Sequence, residues 1–160
     1  RTFRIKENPL NHQRDLYSIP LPSFEQLFSK KVDKITPACL VEIELTGVTA
    51  KQVNITLKNE HEHVDMEINR NHEGRFYFTR GCHSGIHDFG DTFCCTCYAP
   101  YHNKDHYLLK LFIDKHSVEV FDGEGEISMT QTVFPRHPYT DVIVDPVDSE
   151  AKHTIAIKTF

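Results

Sequence analysis

From residue 39 onward, apolar and polar positions alternate along the chain with period two, the pattern of strands that bury one face. Cys39, Val41, Ile43 and Leu45 share one side, while Glu42 and Glu44 take the other. Val53, Ile55 and Leu57 repeat the pattern against Gln52, Asn54, Thr56 and Lys58, and Val64, Met66 and Ile68 repeat it against Asp65 and Glu67. Arg75-Phe76-Tyr77-Phe78-Thr79 is aromatic and β-prone and follows the turn signal Asn71-His72-Glu73-Gly74, which predicts the return arm of a hairpin. Further strands are expected over 107–114, 117–121, 126–134, 142–144 and 153–159. About nine closely spaced strands with polar turns predict an all-β domain, and periodicity alone leaves sandwich and barrel open. No segment holds a helical period, and no repeat of fixed length is evident.

The first 36 residues read differently. Charges are scattered, and Pro20 and Pro22 deny a continuous helix and favour extended chain. Ser23, with Gln26 three residues on, resembles a capping box, so one short helix is expected near 23–28. Residues 1–36 are therefore expected as a linker with one short helix, and 37–160 as the β domain.

At 160 residues the chain can bury one hydrophobic core, and 39% apolar with 26% charged residues is ordinary globular composition. The net charge of -5 and the scatter of basic residues argue against a nucleic-acid partner, which would need clustered Lys and Arg. Lys30, Lys31 and Lys34 form the densest basic group, and a solvated loop or helix end explains them better than a binding patch. No apolar run approaches the length that crosses a bilayer, so no membrane partner is expected. The segment Arg1-Thr2-Phe3-Arg4-Ile5-Lys6 lacks the features of a signal peptide, so a cytoplasmic location is expected, or an extracellular one if a signal lies upstream. Five cysteines, three of them crowded into Cys94-Cys95-Thr96-Cys97, fit secreted disulfide frameworks poorly, and reduced thiols are expected.

Several groups of residues invite chemistry. Glu42 with Glu44, Asp65 with Glu67, and Glu124 with Glu126 are pairs of the kind a glycosidase needs, yet acids alternating opposite an apolar face are what any solvated sheet surface shows. Cys82, His83, His87, Cys94, Cys95, Cys97 and His102 suit zinc by donor type, but adjacent Cys94 and Cys95 face opposite sides of a strand, so neither a metal nor a cofactor is expected. No local signature supports a Cys-His nucleophile. Tyr77, Arg80, Tyr98 and Tyr101 are the candidates for carbohydrate binding, since aromatic faces and a bidentate Arg suit polyols. Against that stands the ordinary use of sheet aromatics in the core and in cross-strand pairs.

The most distinctive stretch is Leu109-Lys110-Leu111-Phe112-Ile113-Asp114-Lys115-His116-Ser117-Val118-Glu119-Val120-Phe121, followed by Asp122-Gly123-Glu124-Gly125-Glu126 and a strand ending in Val133-Phe134-Pro135. It resembles the C-terminal β-sandwich of glycoside hydrolase family 32, in which an apolar strand, Asp-x-Ser-Ser-Val-Glu-Val-Phe, a Gly-containing turn and a strand ending in Phe-Pro occur in that order. His116 replaces the first of the two serines. Phe76-Tyr77-Phe78-Thr79-Arg80, Ser84-Gly85 and Ala99-Pro100 resemble upstream elements of the same domain, and residues 17–27 look like its link to the catalytic propeller.

The resemblance implies an antiparallel two-sheet sandwich. The family's propeller motifs, Trp-x-Asn-Asp-Pro-Asn, Arg-Asp-Pro and Glu-Cys, are missing; the chain has no Trp, and Arg14-Asp15 is followed by Leu16. What it implies is a non-catalytic accessory domain that stabilises the propeller of the same polypeptide, with roles in substrate access or homodimer formation open, and a parent glycosidase acting on fructan or sucrose. Glu119, Phe121 and Phe134 are the matched positions expected to contact the propeller or hold the fold. Two rival readings are a free-standing lectin-like module and a purely structural or oligomerising domain.

Overall fold

The computed structural model describes residues 1–8, 12–71, 74–80, 90–147, 149 and 151–160. In chain order its elements are β1 (Thr2–Glu7), β2 (Arg14–Ile19), the short helix α1 (Pro22–Glu25), β3 (Lys30–Val32), β4 (Cys39–Thr46), β5 (Gln52–Lys58), β6 (His63–Asn69), β7 (Arg75–Arg80), a 3-10 turn at Asp91–Phe93, β8 (Cys95–Pro100), β9 (His106–Ile113), β10 (Ser117–Asp122), β11 (Ser128–Thr132), β12 (Asp141–Val147) and β13 (Lys152–Thr159). Two sheets carry the fold, one in the order β11-β10-β9-β4-β13-β3 and one in the order β12-β5-β6-β7-β8; β1 and β2 form a separate hairpin. All of these pairings are antiparallel.

The period-two pattern explains why the sheets meet face to face. Val41, Ile43 and Leu45 of β4 align with Leu111, Leu109 and Tyr107 of β9, and all six are buried. From the other sheet Val53, Ile55 and Leu57, then Val64, Met66 and Ile68, and Phe76 and Phe78 enter the same core. Removing that many apolar side chains from water is the dominant stabilising term, at about 25 cal/mol per Å².

A second, smaller cluster lies on the outside of the six-stranded sheet. Leu40, Phe112 and Phe121 project outward there and are buried with Phe28. Phe24 lies 5.2 Å from Phe112 and Phe28 lies 5.5 Å from it, ring to ring, so α1 and the turn after it cap this face. Phe160 closes the cluster against Phe28 at 4.6 Å.

Among the described residues the two main sheets hold eleven strands, two more than the periodicity predicts. Strand β3 is Lys-Lys-Val, too short and charged to show alternation. Strand β8 is an edge strand that is mostly exposed and carries the cysteine cluster, so no buried face marks it. The segment 1–36 holds α1 and also the β1–β2 hairpin and β3. The hairpin's alternation of Phe3 and Ile5 with charged residues has no apolar core opposite it and is easily taken for scattered charge.

Two turns require glycine. Gly74 has φ +82° and a Cβ there would sit 2.2 Å from the Tyr101 carbonyl oxygen; Gly125 has φ +89° and a Cβ would sit 2.7 Å from Ile19. The second contact seats the hairpin, because the Ser18 N–H donates to the Gly125 carbonyl at 2.8 Å.

Candidate functional site

The sandwich has two outward faces of different character. On the six-stranded side, β2 of the hairpin lies against β10 and β11, and Arg1, just before β1, pairs with Glu119 at 2.6 Å, donates to Ser128 and Thr130, and lies 5.0 Å from the Phe121 ring centre. Phe121 meets Phe112 at 5.8 Å, and Phe112 meets Phe24. The hairpin and α1 are therefore joined through one aromatic series. Beyond it, Phe3, Ile5 and Leu16 point to solvent at 61%, 70% and 65% exposure. In the hairpin register Ile5 lies opposite Leu16 and Phe3 shares their face, so the three form one apolar patch. Leu21, Leu27 and Phe160 are exposed around α1 on the same side.

On the five-stranded side the register places Tyr98, Tyr77, Glu67, Asn54 and Asp145 side by side in one row across the sheet, and Thr96, Thr79, Asp65, Thr56 and Ile143 in the next. Tyr77 and Tyr98 pack 5.9 Å apart, and the Arg75 guanidinium sits 4.8 Å over the Tyr98 ring. Glu67 accepts from Asn69 at 2.7 Å, Asp65 from Thr56 at 2.9 Å, and the Thr79 and Thr96 hydroxyls bond at 3.1 Å. No element of the described chain covers this face, and Tyr98 is 60% exposed.

A third feature lies in the Gly-rich turn after β10. Asp122, Glu124 and Glu126 converge there with their carboxylate oxygens within 4.8 Å of one another. The Lys104 ammonium stands among them, at 3.1, 3.3 and 2.9 Å. Burial pulls the Lys104 pKa down, but its hydrogen bond to Glu126 and the charge of Asp122 outweigh that and hold it above the usual lysine range. Asp122 also accepts the Glu126 and Ile127 amides at 2.6 and 3.3 Å, which fixes the turn. Glu124 and Glu126 thus serve as lysine partners, and the cluster is an ion network, buried at Asp122, largely buried at Glu126 and exposed at Glu124, rather than an acid–base pair. Sequence reasoning missed Lys104, because only the strand register brings it to residues 18–22 positions away.

The expected carbohydrate residues separate. Tyr77 and Tyr98 lie together on the open face. Tyr101 is buried in the core against Phe76 and Tyr107, so it lies off that face. Burial raises its hydroxyl pKa far above the ordinary tyrosine value. Arg80 is spent on structure: it donates to the Phe93 carbonyl at 2.7 Å and the Thr132 carbonyl at 3.0 Å, and stacks 3.7 Å over Phe93, tying β7 to β11. Phe134 stacks at 5.9 Å on Phe93 and at 5.4 Å on His116. Glu119 is the outward ion partner of Arg1, and Phe121 belongs to the outer aromatic cluster.

Of the thiol and imidazole candidates, Cys82, His83 and His87 lie outside the described residues. Cys94 is disulfide-bonded, which departs from the expectation of reduced thiols throughout, while Cys39, Cys95 and Cys97 are free. His102 is held against Glu126. Glu42 pairs with Lys158 and Glu44 with His106, as surface acids of a sheet do.

The comparison that decides the family is the match of residues 17–158 to the model of the glycosyl hydrolases family 32 C-terminal domain. The chain belongs to that family. Over 55 residues it is 40% identical to the extracellular exo-inulinase of Aspergillus awamori, a stretch that is 33% of this chain and 10% of the enzyme. The structure of that exo-inulinase superposes with a TM-score of 0.72 at 18% identity, covering 98% of this chain and 34% of the enzyme. Sucrose-6-phosphate hydrolase from Lactobacillus gasseri gives 0.69 at 16% identity, covering 98% of this chain and 32% of that one. Xenopus laevis galectin-Ib gives 0.58 at 12% identity, covering 80% of this chain and 96% of the galectin. The family-32 chain thus spans about a third of the enzymes it matches in structure, and nearly the whole of a galectin.

Proposed function

We propose that this chain is the non-catalytic accessory sandwich of a fructan- or sucrose-cleaving glycoside hydrolase. We further propose that the catalytic propeller of the same polypeptide docks on the outside of its six-stranded sheet. The observation that carries the reading is the Phe3, Ile5 and Leu16 patch, set on a hairpin that the sandwich itself anchors through Arg1 and Gly125. A two-stranded hairpin with three apolar side chains in water is unfavourable alone and is accounted for by a partner surface. About two thirds of each matched enzyme lies outside the region this chain covers, which is ample to supply that partner. The settings of the carboxylate pairs support the absence of catalysis: Glu124 and Glu126 share the Lys104 ammonium, Glu42 is paired with Lys158, and Glu44 contacts His106 on the sheet surface. The Cys94 disulfide supports an oxidising setting for the protein.

The test has two arms. The chain alone is expected to turn over neither sucrose nor inulin, and clear hydrolysis would overturn the accessory reading. Co-expressed with a family-32 propeller, it is expected to co-purify, and Ile5→Arg is expected to abolish the association. An Ile5→Arg chain that still associates would move the docking surface elsewhere.

A further inference from the structure

We propose that the open face of the five-stranded sheet binds a neutral oligosaccharide, which stacks on Tyr98 and donates hydroxyl hydrogen bonds to Glu67 and Asp145. The proposal does not depend on where the propeller docks, or on what the parent enzyme cleaves.

Three observations point to that ligand chemistry. The first is the exposure of Tyr98: the residue is 60% exposed although Tyr77 and Arg75 pack against its ring. A phenol held in place by its neighbours presents apolar area at low entropic cost, and it suits the C–H face of a sugar ring. The Arg75 guanidinium already occupies the cation site on this ring, which turns the remaining ring surface toward a neutral partner.

The second is the supply of acceptors. Glu67 uses Oε1 for Asn69, and among the described residues neither its Oε2 nor the carboxylate of Asp145 has a hydrogen-bond partner. Both groups lie in the same row as Tyr98 and border a shallow groove of about 340 Å³ that Asn54, Thr56, Asp65 and Thr79 also line. Carboxylates accept strongly from hydroxyl donors. Asp65, Glu67 and Asp145 together repel phosphate, sulfate or carboxylate ligands, so the charge of the face selects an uncharged polyol.

The third is span. Tyr98 and Asp145 end a row that crosses five strands, four spacings of about 4.8 Å, or about 19 Å. A single sugar cannot reach both, whereas an oligosaccharide laid across the strands can. A sheet face is also rigid, so its side chains are already ordered before binding.

The test is an amide chemical-shift titration of the full chain with short-chain inulin, levan oligosaccharide and maltoheptaose, with dextran sulfate as the anionic control. Saturable shifts in β6, β7 and β8 are expected for at least one neutral probe. Tyr98→Ala is expected to weaken that binding about tenfold or more, and Glu67→Gln by a smaller factor. Because both side chains face outward, unchanged thermal melting shows that each variant is folded. Three results would each overturn the proposal: no shift in these strands with any neutral probe at about 10 mM, wild-type affinity in Tyr98→Ala, or preferential binding of dextran sulfate there. None of these bears on the hydrolysis and co-purification results, so the two readings fail separately.

Discussion

Both sheets carry aromatic side chains on their outward faces, and the molecule treats the two sets in opposite ways. Outside the six-stranded sheet, Phe112 and Phe121 are covered by α1, Phe160 and the N-terminal hairpin and end up as buried as core residues. Outside the five-stranded sheet, Tyr98 is left open beside Tyr77. An outward aromatic in a strand is therefore neither core nor site by itself. What settles it is whether the chain supplies a second layer, and here, among the described residues, that layer comes from the segment before β4 together with the C-terminal Phe160.

The largest expected effect tests how that second layer is fastened. Lys104→Met leaves Asp122 and Glu126 without their cation beside the turn that seats the hairpin, and a loss of about 4 kcal/mol in urea unfolding is expected. A loss below about 1 kcal/mol would show that the network is solvated rather than buried.

The faces can next be compared by one chemical change. Phe112→Ala is expected to cost about 3 kcal/mol, because it empties the centre of the outer cluster, whereas Tyr98→Ala is expected to cost no more than about 0.5 kcal/mol. Equal losses measured by denaturant titration would erase the distinction between covered and open faces.

The smallest effect concerns the interior between them. Burial raises the Tyr101 and Tyr139 hydroxyls above the ordinary value of 10.0. Below that value both folded and unfolded chains keep these protons, so they give no pH dependence; above it the unfolded chain releases them first and stability falls as pH rises. Lys104, also raised overall, contributes stability that is complete below 10.5 and is lost above it. Urea midpoints should therefore be level between about pH 7 and 9 as far as these groups go, then fall. Tyr101→Phe should reduce the alkaline fall while changing neutral stability by less than about 1 kcal/mol, since the hydroxyl has no hydrogen-bond partner among the described residues.

The sandwich was legible where one strand face meets water and the other does not. Val53, Ile55 and Leu57 against Asn54 and Thr56 signal that contrast directly, and 109–135 carries the family pattern besides. The contrast fails for β8, exposed along most of its length, and for the β1–β2 hairpin, whose apolar residues face outward. The candidate site was half legible. Tyr77 and Tyr98 could be picked out as aromatics, but their pairing with Glu67 and Asp145 depends on register across four partner strands, which local sequence does not encode. Tyr101 and Arg80 were misleading because a residue type suited to sugars is equally suited to filling a core or tying two sheets together.

The position of β13 has a consequence for how the protein is made. This strand sits between β4 and β3, and its Lys158 reaches Glu42 from 116 residues along the chain. It emerges from the ribosome after every other strand of the two sheets. Until then one edge of β4 stands unpaired, at synthesis rates of about 5–20 residues per second, which is an interval of seconds. Glu42 and Glu44 put negative charge along that waiting edge, which discourages neighbouring nascent chains from adding to it. Anything encoded upstream gains the same interval to fold before this sheet closes.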